Sequence, residues 1–522
     1  MSSWRTERPV YVDRLPPCNN ACPAGENIQA WLNLAQTGRY QEAWKTLVEN
    51  NPLPATMGRV CYHPCETACN RAQFDQTVNI HAVERFLGDE AIRNGWQFDP
   101  VTPSGKRVLI VGSGPSGLSA AYHLARLGHT VTIYEAGPRA GGMMRFGIPK
   151  YRLPREILDA EIARITKLGV TIELNRRVDD LAAVLESAEF DAVFLAVGAH
   201  ISKRANIPAV DADRILDALS VLRTVDSGEA PQLGRRVLVY GGGNTALDVA
   251  RTAKRLGATE TVIVYRRTRE KMPAHDFEVQ EAIDEGIQFR WLSTIKEAGE
   301  RSFTVEKMRL DETGYPRPTG ELETIEGDSL VLALGQDVDL GFLGRVPGLE
   351  MRDGVVQVNE RMMTGHAGLF AGGDMVPAER TVTVAVGHGK KAARNIDAWL
   401  RGVAYEPPSK HDLALFSRIG VHAYAEAPET MQRSLAPDAR QTTFDEVMLG
   451  FEGAQARAEA KRCLSCGNCF ECDRCYDACP DRAIEQLGPG QRYRFDYDLC
   501  QGCGVCASEC PCGAIDMIAE PA

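Results

Sequence analysis

The sequence has no apolar run long enough to cross a membrane, and it has fewer basic residues (59) than acidic residues (70). None of its apolar stretches approaches the roughly 18–20 residues that a membrane helix needs, and its first residues form no apolar signal core. The formal net charge is −11, whereas nucleic-acid binding favours a basic surface. We therefore expect a cytoplasmic protein with no membrane span and no nucleic-acid partner.

The middle of the chain contains no cysteine. Residues 70–462 have none, so the Cys-x2-Cys or Cys-x4-Cys pair of a disulfide-relay reductase is missing there. All 16 cysteines fall in the two end segments. In a chain without an export signal, such cysteines indicate metal or redox ligands and not disulfides.

The C-terminal segment carries one cysteine pattern twice. The pattern is Cys-x2-Cys-x2-Cys-x3-Cys-Pro, and it begins at Cys469 and again at Cys500. It is the bacterial ferredoxin pattern, in which the fourth cysteine of each motif binds the other motif's [4Fe–4S] cluster. The predicted ligand sets are Cys469, Cys472, Cys475 and Cys510 for one cluster, and Cys500, Cys503, Cys506 and Cys479 for the other. Cys512 is left over, and we expect it to be a small buried residue.

From Lys106 onward, strands and helices alternate, which predicts a parallel sheet. The first strand leads through a glycine-rich turn into a helix, and Glu135 ends the next strand. In this dinucleotide-binding fingerprint, glycines admit a pyrophosphate at the helix N-terminus and the acid binds a ribose hydroxyl. A downstream Gly-Gly-Asp segment before a helix resembles the flavin site of two-dinucleotide flavoprotein reductases, which implies FAD. The implied FAD contacts are Gly112, Gly114, Pro115, Ser116, Gly117, Glu135, Gly142, Met143, Gly373, Asp374 and Thr383.

A second fingerprint begins at Arg236 and has alanine in place of the third glycine. The strand that follows it ends in Arg266 and Arg267 instead of an acid. An acid would repel a 2′-phosphate and arginine accommodates one, so this site is predicted to bind NADP(H). Its predicted contacts are Gly241, Gly243, Asn244, Thr245, Ala246, Arg266 and Arg267. The alternative is that both arginines face solvent and that the site uses NAD(H).

The second fingerprint lies between two parts of the first, because FAD-type sequence both precedes and follows it. This nesting predicts an α/β fold with two nested Rossmann-like dinucleotide-binding domains, preceded by an α-helical Fe–S domain and followed by a bacterial-ferredoxin-like domain. The expected boundaries are 1–100 for the helical domain, 101–233 and 330–402 for the split FAD domain, 234–329 for the NAD(P)H domain, 403–460 for a connector and 461–522 for the ferredoxin-like domain.

The five N-terminal cysteines fit neither zinc nor a whole number of clusters. Three strings nevertheless resemble the small subunit of NADPH-dependent glutamate synthase and the N-terminal half of dihydropyrimidine dehydrogenase. They are Gly58-Arg-Val-Cys61-Tyr-His-Pro-Cys65-Glu-Thr-Ala-Cys69, Gly147-Ile-Pro-Lys-Tyr-Arg152 and Gly243-Asn-Thr-Ala-Leu-Asp248. The resemblance implies two N-terminal [4Fe–4S] clusters, one of them bound by Cys22, Cys61, Cys65 and Glu84. It also adds Arg152 to the FAD contacts.

The other N-terminal cluster lacks two of its family ligands. In the family it is bound by the counterparts of Cys18 and Cys69 and by a Cys-x2-Cys pair just upstream, but no cysteine precedes Cys18 here. Cys463 and Cys466 stand in a string that in the family leads into the N-terminal motif, and we predict that they fold back to supply the pair. Four clusters need four ligands each, which fifteen cysteines and Glu84 provide. The alternatives are an empty or differently liganded site, or an unligated Cys463 and Cys466.

Together these sites predict an electron-transferring flavoprotein subunit. The cofactors carry the redox chemistry, so no catalytic side chain is assigned. The chain has neither an amidotransferase nor an FMN barrel, so the expected partner is another oxidoreductase subunit (2-oxoacid, aldehyde or glutamate synthase type) or a ferredoxin, in a hetero-oligomer. A scaffold or redox-sensing subunit with inactive nucleotide sites is the alternative. The direction of electron flow and flavin-based bifurcation stay open.

Overall fold

The computed structural model describes residues 5–99 and 101–520. They form two compact units. The first unit combines both ends of the chain, since it contains the residues up to Gln97, Tyr405–Gln432 and the residues from Gly450 onward. The second unit contains Phe98–Ala404 and Arg433–Leu449. The segment expected to be a connector is therefore divided between the two units.

Short helices form most of the first unit. They are Pro17–Ala21, Ile28–Gln36, Tyr40–Val48, Pro54–Val60, Pro64–Thr67, Ile80–Arg93, Gly453–Ala460, Arg474–Ala478 and Val505–Ser508, with 3-10 turns at Asn70–Gln73, Phe416–Arg418 and Val421–Ala423. Glycine allows two of these helices to approach closely, because a Cβ at Gly58 would lie 2.4 Å from the amide nitrogen of Arg85. This contact brings Cys61, which follows the first of the two helices, towards Glu84 on the other.

The two ends of the chain pair as strands. Glu7–Tyr11 runs antiparallel to Ile515–Ala519, and Tyr11 lies opposite Ile515. The N-terminal domain, expected to be α-helical, thus also contributes one strand. The first strand has a proline at position 9 and no partner nearby in sequence, so local propensity does not reveal it. A second antiparallel pair joins Ile484–Gln486 to Tyr493–Phe495.

The first sheet of the second unit is wholly parallel. Its strand order is Leu369–Ala371, Ala192–Leu195, Arg107–Val111, Thr130–Tyr134 and Thr171–Glu173. The helices of this part are Pro115–Arg126, Met143–Phe146, Arg155–Thr166, Leu181–Glu186 and Val382–Leu400. A Cβ at Gly389 would lie 2.2 Å from the Ser116 carbonyl oxygen. The downstream helix thus packs directly on the helix of the first fingerprint, as the split FAD domain requires.

The second sheet is also parallel, and two of its strands reach outside the range expected for the NAD(P)H domain. Its order is Gln288–Arg290, Glu260–Val264, Arg236–Tyr240, Ser329–Leu332 and Ile215–Asp217. The last strand lies within the range assigned to the FAD domain, and the strand before it crosses the expected boundary at 329/330. The short strand Ile215–Asp217 is only half-buried, so it carries little apolar pattern by which its sheet could be recognised.

Smaller elements complete the second unit. They are the helices Ala218–Asp226, Asn244–Arg255, Asp276–Asp284 and Pro437–Arg440, the antiparallel strands Ser293–Ala298, Ser302–Leu310 and Pro316–Glu326, the strand pairs Ile201–Ser202 with Gln336–Asp337 and Met351–Arg352 with Val355–Val356, and 3-10 turns at Ala212–Arg214, Arg269–Lys271, Gly341–Leu343 and Gly373–Met375. None of the helices within 5–99 and 101–520 has the length and apolar character to span a bilayer.

Candidate functional site

The first fingerprint forms a cradle that side chains would fill. Gly112 has a φ of +104°, and a Cβ at Gly117 would lie 2.0 Å from the Gly112 carbonyl oxygen. Gly142 has a φ of +52°, and a Cβ there would lie 2.7 Å from the Cα of Gly114. The helix begins with Pro115 at its first position. Backbone amides are thus left open at a helix N-terminus, which suits a pyrophosphate.

Two polar side chains of this cradle fit the expected dinucleotide. Glu135 is held at the end of its strand, where its carboxylate accepts hydrogen bonds from the amides of Ser113 at 2.9 Å and Gly137 at 2.7 Å. The hydroxyl of Ser116 is buried and has no hydrogen-bond partner among the described residues. A buried hydroxyl without a partner is costly, and a phosphate oxygen would satisfy it.

The downstream Gly-Asp segment reaches the same cradle. A Cβ at Gly373 would lie 3.2 Å from the Cβ of Ser116, although the two residues are far apart in sequence. Burial raises the pKa of the neighbouring Asp374, against the opposing charge of Arg380. Thr383 is buried near the start of the following helix. Both halves of the predicted flavin site therefore meet, with Met143 on the short helix after Gly142.

Arg152 has contacts other than those expected. Its Nη1 lies 2.9 Å from Asp248 Oδ1, and its Nη2 pairs with Glu278. Both carboxylates are on helices of the second dinucleotide domain. Burial raises the pKa of Glu278 to about 7, with Arg152 opposing the shift. Arg152 thus ties the two dinucleotide domains together, and its contact with FAD stays a prediction.

The second fingerprint forms a similar cradle. A Cβ at Gly241 would lie 2.2 Å from the carbonyl oxygen of Ala333, and the helix Asn244–Arg255 starts directly after Gly243. The side-chain oxygen of Asn244 accepts a hydrogen bond of 3.1 Å from the amide of His275. Thr245 and Ala246 complete the first turn of that helix, and Ala246 is fully buried.

Two arginines and a cleft lie beside this second cradle. Arg266 is exposed, whereas Arg267 Nε is buried without a hydrogen-bond partner in the described part of the chain. An open cleft of about 370 Å³ is lined by Arg269, Glu270, Met272, Ala274, Asp276 and Val279. The amide of Ala274 donates to the carbonyl of Gly242 at 3.2 Å, which joins the cleft to the fingerprint. Arg266 and Arg267 suit an anionic nucleotide, whereas the cleft itself carries Glu270 and Asp276 beside Arg269.

One cysteine group lies around the helix Ile80–Arg93. Burial raises the pKa of Cys65, and the neighbouring Glu66, Cys61, Cys22 and Glu84 add to the shift as negative charges. Cys61 follows the helix that packs through Gly58 on Ile80–Arg93, the helix that carries Glu84. A cluster iron that binds thiolates would relieve the repulsion between these negative groups. This group therefore fits the ligand set that the resemblance implies.

A second buried carboxylate in this group was missed. Asn51 Nδ2 donates to Glu84 Oε1 at 2.8 Å and to Glu26 Oε1 at 2.9 Å. Trp31 Nε1 also donates to Glu26, at 3.2 Å. Acidic residues are common near helix N-termini because they interact favourably with the helix dipole. Glu26 precedes the helix Ile28–Gln36, so its sequence position gives no sign of a second role.

The structure brings Cys463 and Cys466 to Cys18 and Cys69. All four line one small cavity of about 20 Å³ within the first unit. Burial raises the pKa of Cys463 to about 12, and Cys466 and Cys69 add to the shift. Burial likewise raises the pKa of Cys18, with the other three thiols as the next causes. The four cysteines predicted for the shared cluster thus lie together, and their binding of iron stays a prediction.

A shared backbone turn follows the first cysteine of four motifs. The second residue after that cysteine has a positive φ, with values of 49° at His63, 48° at Ser465, 58° at Glu471 and 73° at Gly502. Such a φ is uncommon outside glycine. At Ser465 it directs the amide to the Cys463 sulfur, at 3.4 Å, and at His63 it directs the amide to the Cys61 sulfur, at 3.3 Å. Cys463-x2-Cys466 therefore has the same turn as the ferredoxin motifs.

The remaining tail cysteines form two groups. Burial raises the pKa of Cys475 to about 12, and the neighbouring thiols of Cys469, Cys510 and Cys472 raise it further. A second small cavity is lined by Cys479, Cys500, Cys503 and Cys506 together with Pro9, Pro480, Asp481, Ala483, Ile484, Phe495 and Gly504. The fourth cysteine of each motif thus lies with the other motif's first three. Cys512 is buried, with its sulfur 3.8 Å from that of Cys510.

Three other residues of metal-binding types, two histidines and a glutamate, meet beside the N-terminal cysteines. Glu66 lies 2.8 Å from His81 Nδ1 and 3.5 Å from His63 Nδ1. The two imidazole rings are stacked, with centroids 3.8 Å apart and planes 14° apart. Nearly parallel rings do not direct their lone pairs at one ion, and His81 Nε2 also lies 2.9 Å from Gln432 Oε1. We interpret this group as hydrogen-bonded support for the Cys61–Cys69 loop.

Three family models match the chain. The model for pyridine nucleotide-disulphide oxidoreductases matches residues 106–389. The 4Fe-4S cluster domain II of dihydropyrimidine dehydrogenase matches residues 8–96, and the 4Fe-4S dicluster domain matches residues 468–514. The last match begins after Cys466, so it leaves Cys463 and Cys466 outside the dicluster domain.

Several curated proteins are similar over most of this chain. The NADP(+)-dependent formate dehydrogenase subunit beta of Moorella thermoacetica is 37% identical, covering 86% of this chain and 70% of that protein. The NADPH-Fe(3+) oxidoreductase subunit beta of Geobacter sulfurreducens is 35% identical, with 87% and 76% covered. The glutamate synthase [NADPH] small chain of Escherichia coli is 33% identical, with 74% and 89% covered. The chain belongs to the pyridine nucleotide-disulphide oxidoreductase family, as a member with a 4Fe-4S domain on each side of the oxidoreductase domain.

Proposed function

We propose that this protein is the NADP(H)-reactive flavoprotein subunit of a larger cytoplasmic oxidoreductase and contains four [4Fe–4S] clusters. When bound, FAD exchanges a hydride with the nicotinamide and single electrons with the clusters. The chain's own residues hold these groups: the two glycine cradles bind the dinucleotides, and fifteen cysteines with Glu84 bind the iron. The subunit passes electrons between NADP(H) and a partner oxidoreductase subunit or a ferredoxin.

One observation carries the four-cluster proposal. Cys463 and Cys466 line the same cavity as Cys18 and Cys69, and the Ser465 turn aims an amide at one of these sulfurs. Without this pair the N-terminal cysteines bind one complete cluster and the tail is a separate ferredoxin. With it, one cluster has ligands from both ends of the chain, and the two iron–sulfur domains form one electron path.

The names of the relatives support the proposed partner. Two of them are beta subunits, one of a formate dehydrogenase and one of an NADPH-Fe(3+) oxidoreductase. A subunit designation implies at least one other chain, and the glutamate synthase small chain is named in the same way. We infer a hetero-oligomer in which the partner holds the site where the second substrate is oxidised or reduced.

The carboxylate ligand can be identified by substituting the two buried glutamates separately. We expect Glu84→Ala to lower the iron content by up to about four atoms per chain, since one cluster loses a ligand, and to remove or alter one reduced-cluster signal in electron paramagnetic resonance (EPR). Glu26→Ala is the matched control, because Glu26 shares Asn51 with Glu84. Loss of iron in the Glu26 variant alone would assign the ligand to Glu26 instead.

The function as a whole is tested with the purified protein under anaerobic conditions. NADPH is expected to bleach the flavin absorbance and then to generate reduced-cluster EPR signals, while NADH does so more slowly. If neither nucleotide bleaches the flavin, the protein is a scaffold or sensor whose nucleotide sites do not turn over. Faster bleaching by NADH would retain the enzyme but reverse the proposed nucleotide preference.

A further inference from the structure

Two side chains that are not expected ligands place an O–H or N–H group at a cysteine sulfur in the described part of the first unit. The Tyr11 hydroxyl oxygen lies 3.8 Å from Cys475 Sγ, and Asn70 Nδ2 lies 3.6 Å from Cys466 Sγ. A thiolate that binds iron has no proton to donate. In each pair the phenol or the amide is therefore the hydrogen-bond donor, and the sulfur is the acceptor.

Tyr11 is held in this position by the paired ends of the chain. It lies opposite Ile515 in the strand pair, and its ring stacks on Phe495 with centroids 5.0 Å apart. The strand itself is anchored from both sides. Arg5 donates to the carbonyl of Cys500 at 2.8 Å, and Arg14 pairs with Asp516. The hydroxyl is thus fixed at the sulfur by a segment 464 residues away in sequence.

Asn70 is held equally firmly. The same Nδ2 donates to the carbonyl of Ala414 at 2.8 Å, and the side-chain oxygen of Asn70 accepts from Gln73 Nε2 at 3.3 Å. These two contacts define which end of the amide faces Cys466. Asn70 is buried, so water does not compete for the sulfur.

We propose that Tyr11 and Asn70 set the reduction potentials of the two clusters beside them. Tyr11 acts on the cluster of Cys469, Cys472, Cys475 and Cys510, and Asn70 acts on the cluster of Cys18, Cys69, Cys463 and Cys466. A reduced cluster carries one more negative charge than an oxidised one, and a hydrogen bond to a ligand sulfur stabilises that charge. Each donor therefore raises the potential of its own cluster and makes it the better electron acceptor.

The two tuned clusters are neighbours in the proposed path. The amide of Gly467, next to Cys466, donates to the carbonyl of Cys512 at 2.7 Å, and Cys512 is two residues from Cys510. The donors thus act on the junction between the N-terminal part and the tail. Because Tyr11 and Asn70 raise the potentials of both clusters, electrons are held more favourably at that junction. The strand Glu7–Tyr11 supplies one of the two donors.

The experiment is an EPR-monitored redox titration of the full-length protein with its clusters loaded. We expect Tyr11→Phe to shift the midpoint of one cluster to lower potential and to leave the others unchanged. Tyr497→Phe is the matched control, because Tyr497 belongs to the same aromatic group and its hydroxyl donates to the Pro9 carbonyl at 2.9 Å instead of to a sulfur. Equal midpoints in the Tyr11 variant and the wild type, or equal shifts in both variants, would overturn the role of Tyr11.

Asn70 has its own matched pair. Asn70→Leu should lower the midpoint of a different cluster from the one that Tyr11→Phe affects. Asn468→Leu removes an amide that donates to the Cys466 carbonyl at 3.2 Å and to the Arg14 carbonyl at 3.0 Å, so it should leave that midpoint in place. Shifts of the same size in both leucine variants would contradict a sulfur-specific effect.

The wild-type iron content separates this inference from the proposed function on which it rests. About sixteen iron atoms per chain agree with four clusters. If about twelve are found, the shared cluster and the role of Asn70 both fail, but the Tyr11 titration still tests a cluster of the dicluster domain. If Tyr11→Phe does not load its clusters, the Fe–S stretching bands of the wild type supply the test. They should shift in D2O for an exchangeable O–H···S bond, and unshifted bands would refute it.

Discussion

Replacing Cys463 and Cys466 by serine should remove one cluster and interrupt electron transfer to the tail. The iron content is expected to fall from about sixteen to about twelve atoms per chain, since a cluster left with two cysteine ligands is not held. NADPH should still bleach the flavin, because both dinucleotide cradles belong to the other unit. Reduction of the two tail clusters by NADPH should fall at least about tenfold, and dithionite should still reduce them.

Cys512→Ser is the matched control for this double substitution. Cys512 is another buried thiol of the first unit, and it is the one cysteine for which the ligand count leaves no cluster. This variant should keep its iron and its NADPH-driven reduction of the tail. An unchanged iron content in the double variant would show that Cys463 and Cys466 bind no cluster. In that case the shared-cluster proposal fails, although the ferredoxin ligand sets are unaffected.

The parts of the structure that the sequence predicted are those coded by local patterns. The strand Arg236–Tyr240 begins at the residue where the second fingerprint begins, and Arg107–Val111 contains the first apolar run after Lys106. Both are buried central strands of parallel sheets, so each appears as a short continuous apolar segment. The glycines after these strands have a positive φ or lie against neighbouring backbone atoms, so other residues do not fit there. The fingerprint is therefore visible in the sequence. The approach of Cys463 to Cys18 was predicted from the family resemblance together with the number of ligands, and not from periodicity.

The parts that the sequence did not predict depend on distant partners. The strand Glu7–Tyr11 forms only because Ile515–Ala519 accepts its hydrogen bonds, and nothing in its five residues specifies that partner. Tyr11, Asn70 and Glu26 are common residue types whose roles come from a sulfur or an amide elsewhere in the fold. Arg152 lies in a recognisable string, but its carboxylate partners, Asp248 and Glu278, become visible only when the two dinucleotide domains pack together.

Substituting Arg266 should weaken NADPH binding much more than NADH binding. Arg266 follows the carboxyl end of the strand Glu260–Val264 and is exposed, which is where a nucleotide approaches a parallel sheet. A hydrogen bond to a charged group contributes about 1.5–3 kcal/mol, and 1.4 kcal/mol is tenfold in affinity. We expect Arg266→Ala to raise the KM for NADPH by roughly 10- to 100-fold. The KM for NADH and the rate of flavin bleaching at saturating NADPH should change little.

Arg236→Ala is the control for this prediction. Arg236 is also an exposed arginine of the second sheet, but it begins the strand Arg236–Tyr240 and pairs with Glu326. It therefore lies at the opposite end of the sheet from the nucleotide, and its removal should leave both KM values unchanged. If Arg266→Ala raises the KM for NADPH and for NADH by the same factor, the arginine contacts a part that both nucleotides share. If neither value changes, Arg266 faces solvent in the complex, and the 2′-phosphate selectivity must come from Arg267, whose buried Nε then becomes the group to substitute.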